Sequence, residues 1–151
     1  MKLEIIKDAW ESTIRDFTSL GNPLILFVIT LSALGLSLKS ITIFIFSVGV
    51  MLLSGSIKLI LYKDRPFKEE RTSFLRGMNT GSFPSMHTAN ATFVFLALIS
   101  IFPFPKNLLY MILLVIVGLT RLVLKKHYII DVIAGYFIGM LIFVFWFLVF
   151  G

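Results

Sequence analysis

The chain has 151 residues, 58% of them hydrophobic and only 15% charged, where an ordinary soluble domain is roughly half apolar and about a quarter charged. A mean hydropathy of +0.96 leaves too little polar surface to cover a water-facing sphere, so the bilayer is the expected solvent. The absence of cysteine excludes disulfides, iron–sulfur clusters, thiolate zinc sites and a cysteine nucleophile, and the net charge of +6 fits a boundary of anionic headgroups better than a nucleic acid.

Residues 1–20 are dense in charge and lack the apolar run of a signal peptide. Ile5, Ile6, Ala9, Trp10, Ile14 and Phe17 recur at roughly helical spacing, which predicts an amphipathic helix lying in the membrane interface. Asp16 and Lys39 bracket a charge-free stretch with an apolar core at 23–38, the first span. Residues 40–62 form a second, broken only by Lys58, and 88–105 a third, stopped by Pro103 and Pro105. Residues 107–124 make a fourth, interrupted by Arg121, and 132–151 a fifth. Each is near the ~20 residues a spanning helix needs. The expected fold is an all-α integral membrane protein, one domain over 1–151, with about five transmembrane helices, an interfacial N-terminal helix and termini on opposite sides.

The long polar connection, 63–86, holds Asp64, Arg65, Lys68, Glu69, Glu70, Arg71 and Arg76 with Gly77, Gly81 and Pro84, and a loop of that length in a compact protein usually has a function. Gly135 and Gly139 form a small-xxx-small pair that predicts close helix packing inside the bundle, with dimerisation as the alternative.

Ionisable residues at span ends are costly and mark candidate function. If the spans alternate in direction, Lys58, His87, Arg121, His127 and Asp131 all fall at one membrane face, a boundary pocket and not the midplane site of a transporter. Lys58 and Arg65 are two helical turns apart and share a face if the helix continues that far, before Pro66 ends it. Pro84 and Ser85 precede an apolar run, a helix start with Ser85 as its cap, and such starts bind phosphate through free N–H groups. Asp131, four residues after His127, can accept the imidazole Nδ1–H and leave Nε2 as a base or nucleophile. Each cluster alone has an ordinary explanation: a snorkelling lysine, a solvated arginine, an interfacial histidine, a histidine–aspartate helix cap. Together they provide cations for a phosphate, a histidine to attack phosphorus, an aspartate to orient it and a second histidine to protonate the leaving oxygen.

Lys58-x6-Arg65-Pro66, Pro84-Ser85-Met86-His87 and Arg121-x5-His127-x3-Asp131 resemble the three-part signature of the type 2 phosphatidic acid phosphatases, relatives of the vanadium haloperoxidases. The likeness runs from Lys58 to Asp131, in the family's order and spacing. Met86 stands where the family usually has glycine and Thr120 where serine is common. Thr120 keeps a hydroxyl, while Met86 adds a side chain close to the phosphate. The resemblance implies that His127 attacks to form a phosphohistidine, oriented by Asp131, while His87 protonates the departing oxygen and then activates water. It further implies that Lys58, Arg65 and Arg121 hold the phosphoryl oxygens, with Ser85 and the Met86 N–H assisting, and that neither metal nor cofactor is used.

The implied substrate is a membrane lipid phosphate or pyrophosphate: undecaprenyl pyrophosphate, phosphatidylglycerol phosphate, phosphatidic acid or lipid A 1-phosphate, with no nucleic acid partner. The rivals are a phosphotransferase that passes the same phosphoryl group to another acceptor, and a non-enzymatic binder of anionic lipid. On sidedness two arguments collide. Twelve of the 14 Lys and Arg residues lie on the motif face, all but Lys39 and Lys106, which would place it in the cytoplasm. The resemblance implies a multi-pass protein of the bacterial inner membrane with this face outside, its cations attracting headgroups, and that is the reading taken.

Overall fold

The computed structural model describes residues 20–66 and 81–151. The interfacial helix expected over 1–20 and the middle of the 63–86 connection lie outside the described residues. The fold is all-helical, with α1 at Pro23–Leu34, α2 at Leu38–Ile60, α3 at Met86–Ile101, α4 at Lys106–Val123 and α5 at Ile129–Phe150. Three of them, α2, α4 and α5, are long and apolar enough to cross a membrane. The other two are shorter than the charge-free stretches that predicted them, because local chemistry ends a helix sooner than charge ends an apolar zone. In α1 the Asn22 carboxamide accepts the Leu24 N–H at 2.9 Å and Pro23 opens the first turn, while Gly35, at φ 64°, closes the last. Ser85 starts α3, and the helix stops at Ile101 because Pro103 disfavours helix in the residue before it. At 12 and 16 residues these helices span about 18 and 24 Å.

The core is built around α3, which packs most extensively on α5 and then on α4 and α2. Ala89, Ala91, Phe93, Val94, Phe95, Ala97 and Leu98 are all buried, as are Thr88, Asn90 and Thr92 between them, so α3 is enclosed on nearly every side and not along a single stripe. Its alanines let neighbouring backbones approach, and α5 answers with glycines. A Cβ on Gly135 would lie 2.7 Å from the Ser85 carbonyl oxygen, and one on Gly139 would collide with the Ala89 carbonyl. The expected small-xxx-small pair therefore seats α5 on α3 within the bundle. Farther from the site, Trp146 is fully buried against Phe93, edge to face at 6.3 Å, and its Nε1–H donates to Thr42 Oγ1 at 3.2 Å. The outer faces of α4 and α5, including Leu109, Val115, Ile133, Leu141 and Leu148, are exposed and apolar, as a lipid-facing surface requires.

Candidate active site

Alternating helix direction brings the start of α1, the end of α2, the start of α3, the end of α4 and the α4–α5 connection to one end of the bundle. There they enclose a cavity of about 180 Å³. Six of the eight residues singled out in the sequence line it: Lys58, Arg65, Met86, His87, Arg121 and His127. Ser85 and Asp131 stand behind that wall, each fully buried.

Lys58 is 2% exposed, and its ammonium donates to the Gly81 carbonyl at 3.0 Å. Arg65 reaches the cavity by a route that helical spacing did not anticipate. Helix α2 ends at Ile60, and residues 61–66 run on without helical structure, as Pro66 disfavours helix at Arg65. The two-turn spacing from Lys58 therefore is not what brings these cations together. Arg121, on the last turn of α4, is 6% exposed and faces inward.

His127 sits in the short connection before α5 and is 3% exposed. Its Nδ1 lies 2.6 Å from the Ser82 carbonyl oxygen. A carbonyl can only accept, so Nδ1 carries the proton and the neutral ring keeps its lone pair on Nε2. Arg121 Nη2, a donor, lies 3.4 Å from that Nε2. Burial, reinforced by the positive charges of Arg121 and Lys58, pushes the His127 pKa down to about 2 against the opposing effect of the Ser82 bond. The ring is a neutral base whose lone pair faces the cations of the cavity.

The hydrogen bond expected from His127 to Asp131 is not formed: Asp131 Oδ2 is 3.9 Å from Nδ1. That oxygen instead accepts the Tyr128 N–H at 2.8 Å, and Oδ1 takes the Lys63 ammonium at 2.9 Å. An acidic side chain reaching back three residues from the first turn caps the helix start, a use of the carboxylate that competes with the i, i+4 imidazole. Ser85 is also occupied. Its hydroxyl shares a 2.8 Å bond with Thr88 Oγ1 and caps α3, and its N–H donates to the Asp131 carbonyl at 2.9 Å. The starts of α3 and α5, carrying one histidine and the aspartate, are thereby tied together.

Sequence reading did not anticipate Gly21, Asn22, Pro23 and Met51, which complete the cavity wall. The Asn22–Pro23 pair is a helix-start signal that would have placed the beginning of α1 at this face. Gly21 is required there, since a Cβ would come within 2.5 Å of His87 Cβ. For Met51 and Ser82 no sequence signal exists; only the packing of α2 and the return of the chain at Ser82 place them.

The family model that matches this chain is that of the PAP2 superfamily, over residues 24–151. Among solved structures, the chain is similar to the crystal structure of a transmembrane PAP2-type phosphatidylglycerolphosphate phosphatase from Bacillus subtilis. The TM-score is 0.66 at 21% identity, covering 90% of this chain and 74% of that one, a likeness of fold. No curated protein sequence matches it.

Proposed function

Because the chain belongs to the PAP2 superfamily, we propose that it is an integral membrane phosphatase that hydrolyses a phosphate or pyrophosphate monoester of a membrane lipid through a phosphohistidine on His127. One observation carries this reading: the unprotonated Nε2 of a buried, neutral histidine lies 3.4 Å from Arg121 in a cavity that Lys58, Arg65 and His87 also line. Nε2 attacks phosphorus, the bond to the leaving oxygen breaks, and His87 protonates that oxygen. His87 then takes a proton from water, which attacks the phosphohistidine and returns the electron pair to Nε2. Lys58, Arg65 and Arg121 stabilise the charge spread over the phosphoryl oxygens, the main contribution to such a transfer. The unpaired first-turn N–H groups at Met86 and His87 add to it. Ser85 serves by capping α3, and Asp131 by holding the start of α5 and supplying negative charge near the ring.

The cavity opens at the end of a bundle whose flanks are apolar, so its substrate is an amphiphile with phosphate at headgroup level. The solved relative is described as a phosphatidylglycerolphosphate phosphatase, which makes that lipid the first to test. Undecaprenyl pyrophosphate, phosphatidic acid and lipid A 1-phosphate follow. We place the protein in a bacterial inner membrane with this face outside the cytoplasm. The decisive experiment is phosphate release from these four lipids by the purified protein in detergent, beside its His127→Asn variant. Release by the wild type and none by the variant is expected; equal release by both would end the proposal.

A further inference from the structure

Among the described residues six polar side chains line the cavity, and the mechanism above uses five of them. The sixth is Asn22. Its carboxamide is held in one orientation: the Leu24 N–H, 2.9 Å away, can only donate, so the oxygen turns toward the first turn of α1 and the Nδ2 hydrogens point elsewhere. Those hydrogens meet no acceptor among the described residues. The chain entering α1 also lies directly against the proposed proton donor. A Cβ on Gly21 would come within 2.5 Å of His87 Cβ and 2.9 Å of the His87 carbonyl oxygen. In an in-line displacement the leaving oxygen departs opposite the attacking Nε2 and beside its proton donor. Gly21 and Asn22 therefore stand on the leaving-group side of the cavity.

We propose that Asn22 is a specificity-determining residue whose Nδ2–H donates to an uncharged oxygen on the carbon next to the one that bears the phosphate, so that the site takes lipid phosphates built on glycerol. This rests on the phosphatase reading above and narrows its substrates. Such an oxygen lies beside the leaving oxygen when the two are gauche, within reach of a donor next to His87. Phosphatidylglycerol phosphate offers it as a hydroxyl and phosphatidic acid as an ester oxygen. Undecaprenyl pyrophosphate has a second phosphorus in that place and no oxygenated carbon. The donors divide accordingly: Lys58, Arg65 and Arg121 match the charge of a phosphate monoester, whereas a neutral amide suits a neutral acceptor. The cavity of about 180 Å³ has room for roughly six waters at ~30 Å³ each, so the atoms just beyond a phosphate already meet its wall.

The test compares two substrates of the full chain in detergent: decanoyl lysophosphatidic acid and its propanediol analogue, which lacks only the secondary hydroxyl. The wild type should favour the hydroxylated lipid in kcat/KM. Asn22→Ser should lower that ratio by about threefold to tenfold, the worth of one neutral hydrogen bond. Serine caps a helix start as well as asparagine does, so the thermal midpoint should hold. Asn22→Ala should lose the same preference and the cap as well, with a lower midpoint. A purely structural asparagine would slow both substrates in proportion and leave the ratio where it was. A ratio unmoved in Asn22→Ser, or a wild type indifferent to the hydroxyl, would overturn the proposal. The phosphatase reading is separated by calorimetric binding of the same two lipids. If the wild type binds them without hydrolysing either, that reading fails, and loss of the binding preference in Asn22→Ser still upholds the role of Asn22. If it binds neither, both fall.

Discussion

Gly135→Ala tests whether helix packing sets the geometry of the site. The added Cβ would lie 2.7 Å from the Ser85 carbonyl oxygen and 3.0 Å from Thr88 Cβ, where ordinary contact begins at 3.4 Å, so α5 must retreat from α3 by about 0.7 Å. The bond from the Ser85 N–H to the Asp131 carbonyl, 2.9 Å in the native fold, would lengthen past the range of a hydrogen bond. Overpacking of this kind costs roughly 1–3 kcal/mol, partly offset by the ~1 kcal/mol by which alanine exceeds glycine in a helix. The fold should therefore survive. Catalysis should suffer more, because His87 rides on α3 while Asp131 rides on α5, and a displacement approaching 1 Å can cost on the order of 100-fold in rate. Gly49→Ala is the control, since a Cβ there meets nothing within 4 Å, and it should leave activity intact. The assay is kcat/KM for lipid phosphate hydrolysis beside thermal unfolding in the same detergent. Wild-type kcat/KM in Gly135→Ala would refute the coupling of packing to chemistry.

His127→Ala and Arg121→Ala should each abolish turnover, while Asp131→Asn should retain a small residue of activity because Asp131 does not touch phosphorus; near-normal hydrolysis by His127→Ala would sink the mechanism. In 15N-histidine spectra of His87→Gln protein, His127 should stay neutral from pH 7 down to pH 5, and a midpoint near the ordinary 6.5 would contradict its environment. Because the unfolded chain takes up this proton below about pH 6.5 and the folded site does not until about pH 2, His127 should cost stability as pH falls through that window, by roughly 1.4 kcal/mol per unit. Vanadate should inhibit by occupying the five-coordinate geometry of the attacked phosphorus, and EDTA should leave activity intact; inhibition by EDTA that magnesium reverses would count against a metal-independent mechanism. For orientation, single cysteines at Asp64 and Gly151 can be probed in intact cells with an impermeant thiol reagent. Labelling at Asp64 alone is expected, and labelling at Gly151 alone would restore the cytoplasmic placement that the charge count favours.

Much of the site was legible because membranes restrict where charge can stand. Lys58, His87, Arg121 and His127 each interrupt or border an apolar run, and a span that reverses direction at every turn must bring such residues to one face. All four line the one cavity. Met86 was likewise legible as a departure from the family's glycine, and it lines the same wall. Helix ends were less legible. Loss of charge marks the width of the apolar zone, whereas Asn22, Gly35, Ser85 and Pro103 act through backbone hydrogen bonds and sterics and set the helix limits inside it.

Sequence by itself determined the membrane setting, the helical class and the residue types around the cavity, since these follow from hydropathy and from spacings along a helix. Only the tertiary structure decided which hydrogen bonds those residues make. His127 and Asp131 have the spacing of a bonded pair, but Asp131 also stands three residues from the helix cap at Tyr128 and within reach of Lys63, and both claim its oxygens. His127 then takes the Ser82 carbonyl, 45 residues away in the chain. No periodicity carries that choice, because a hydrogen-bond donor selects among acceptors by distance and direction, and those exist only once α3 and α5 are packed together.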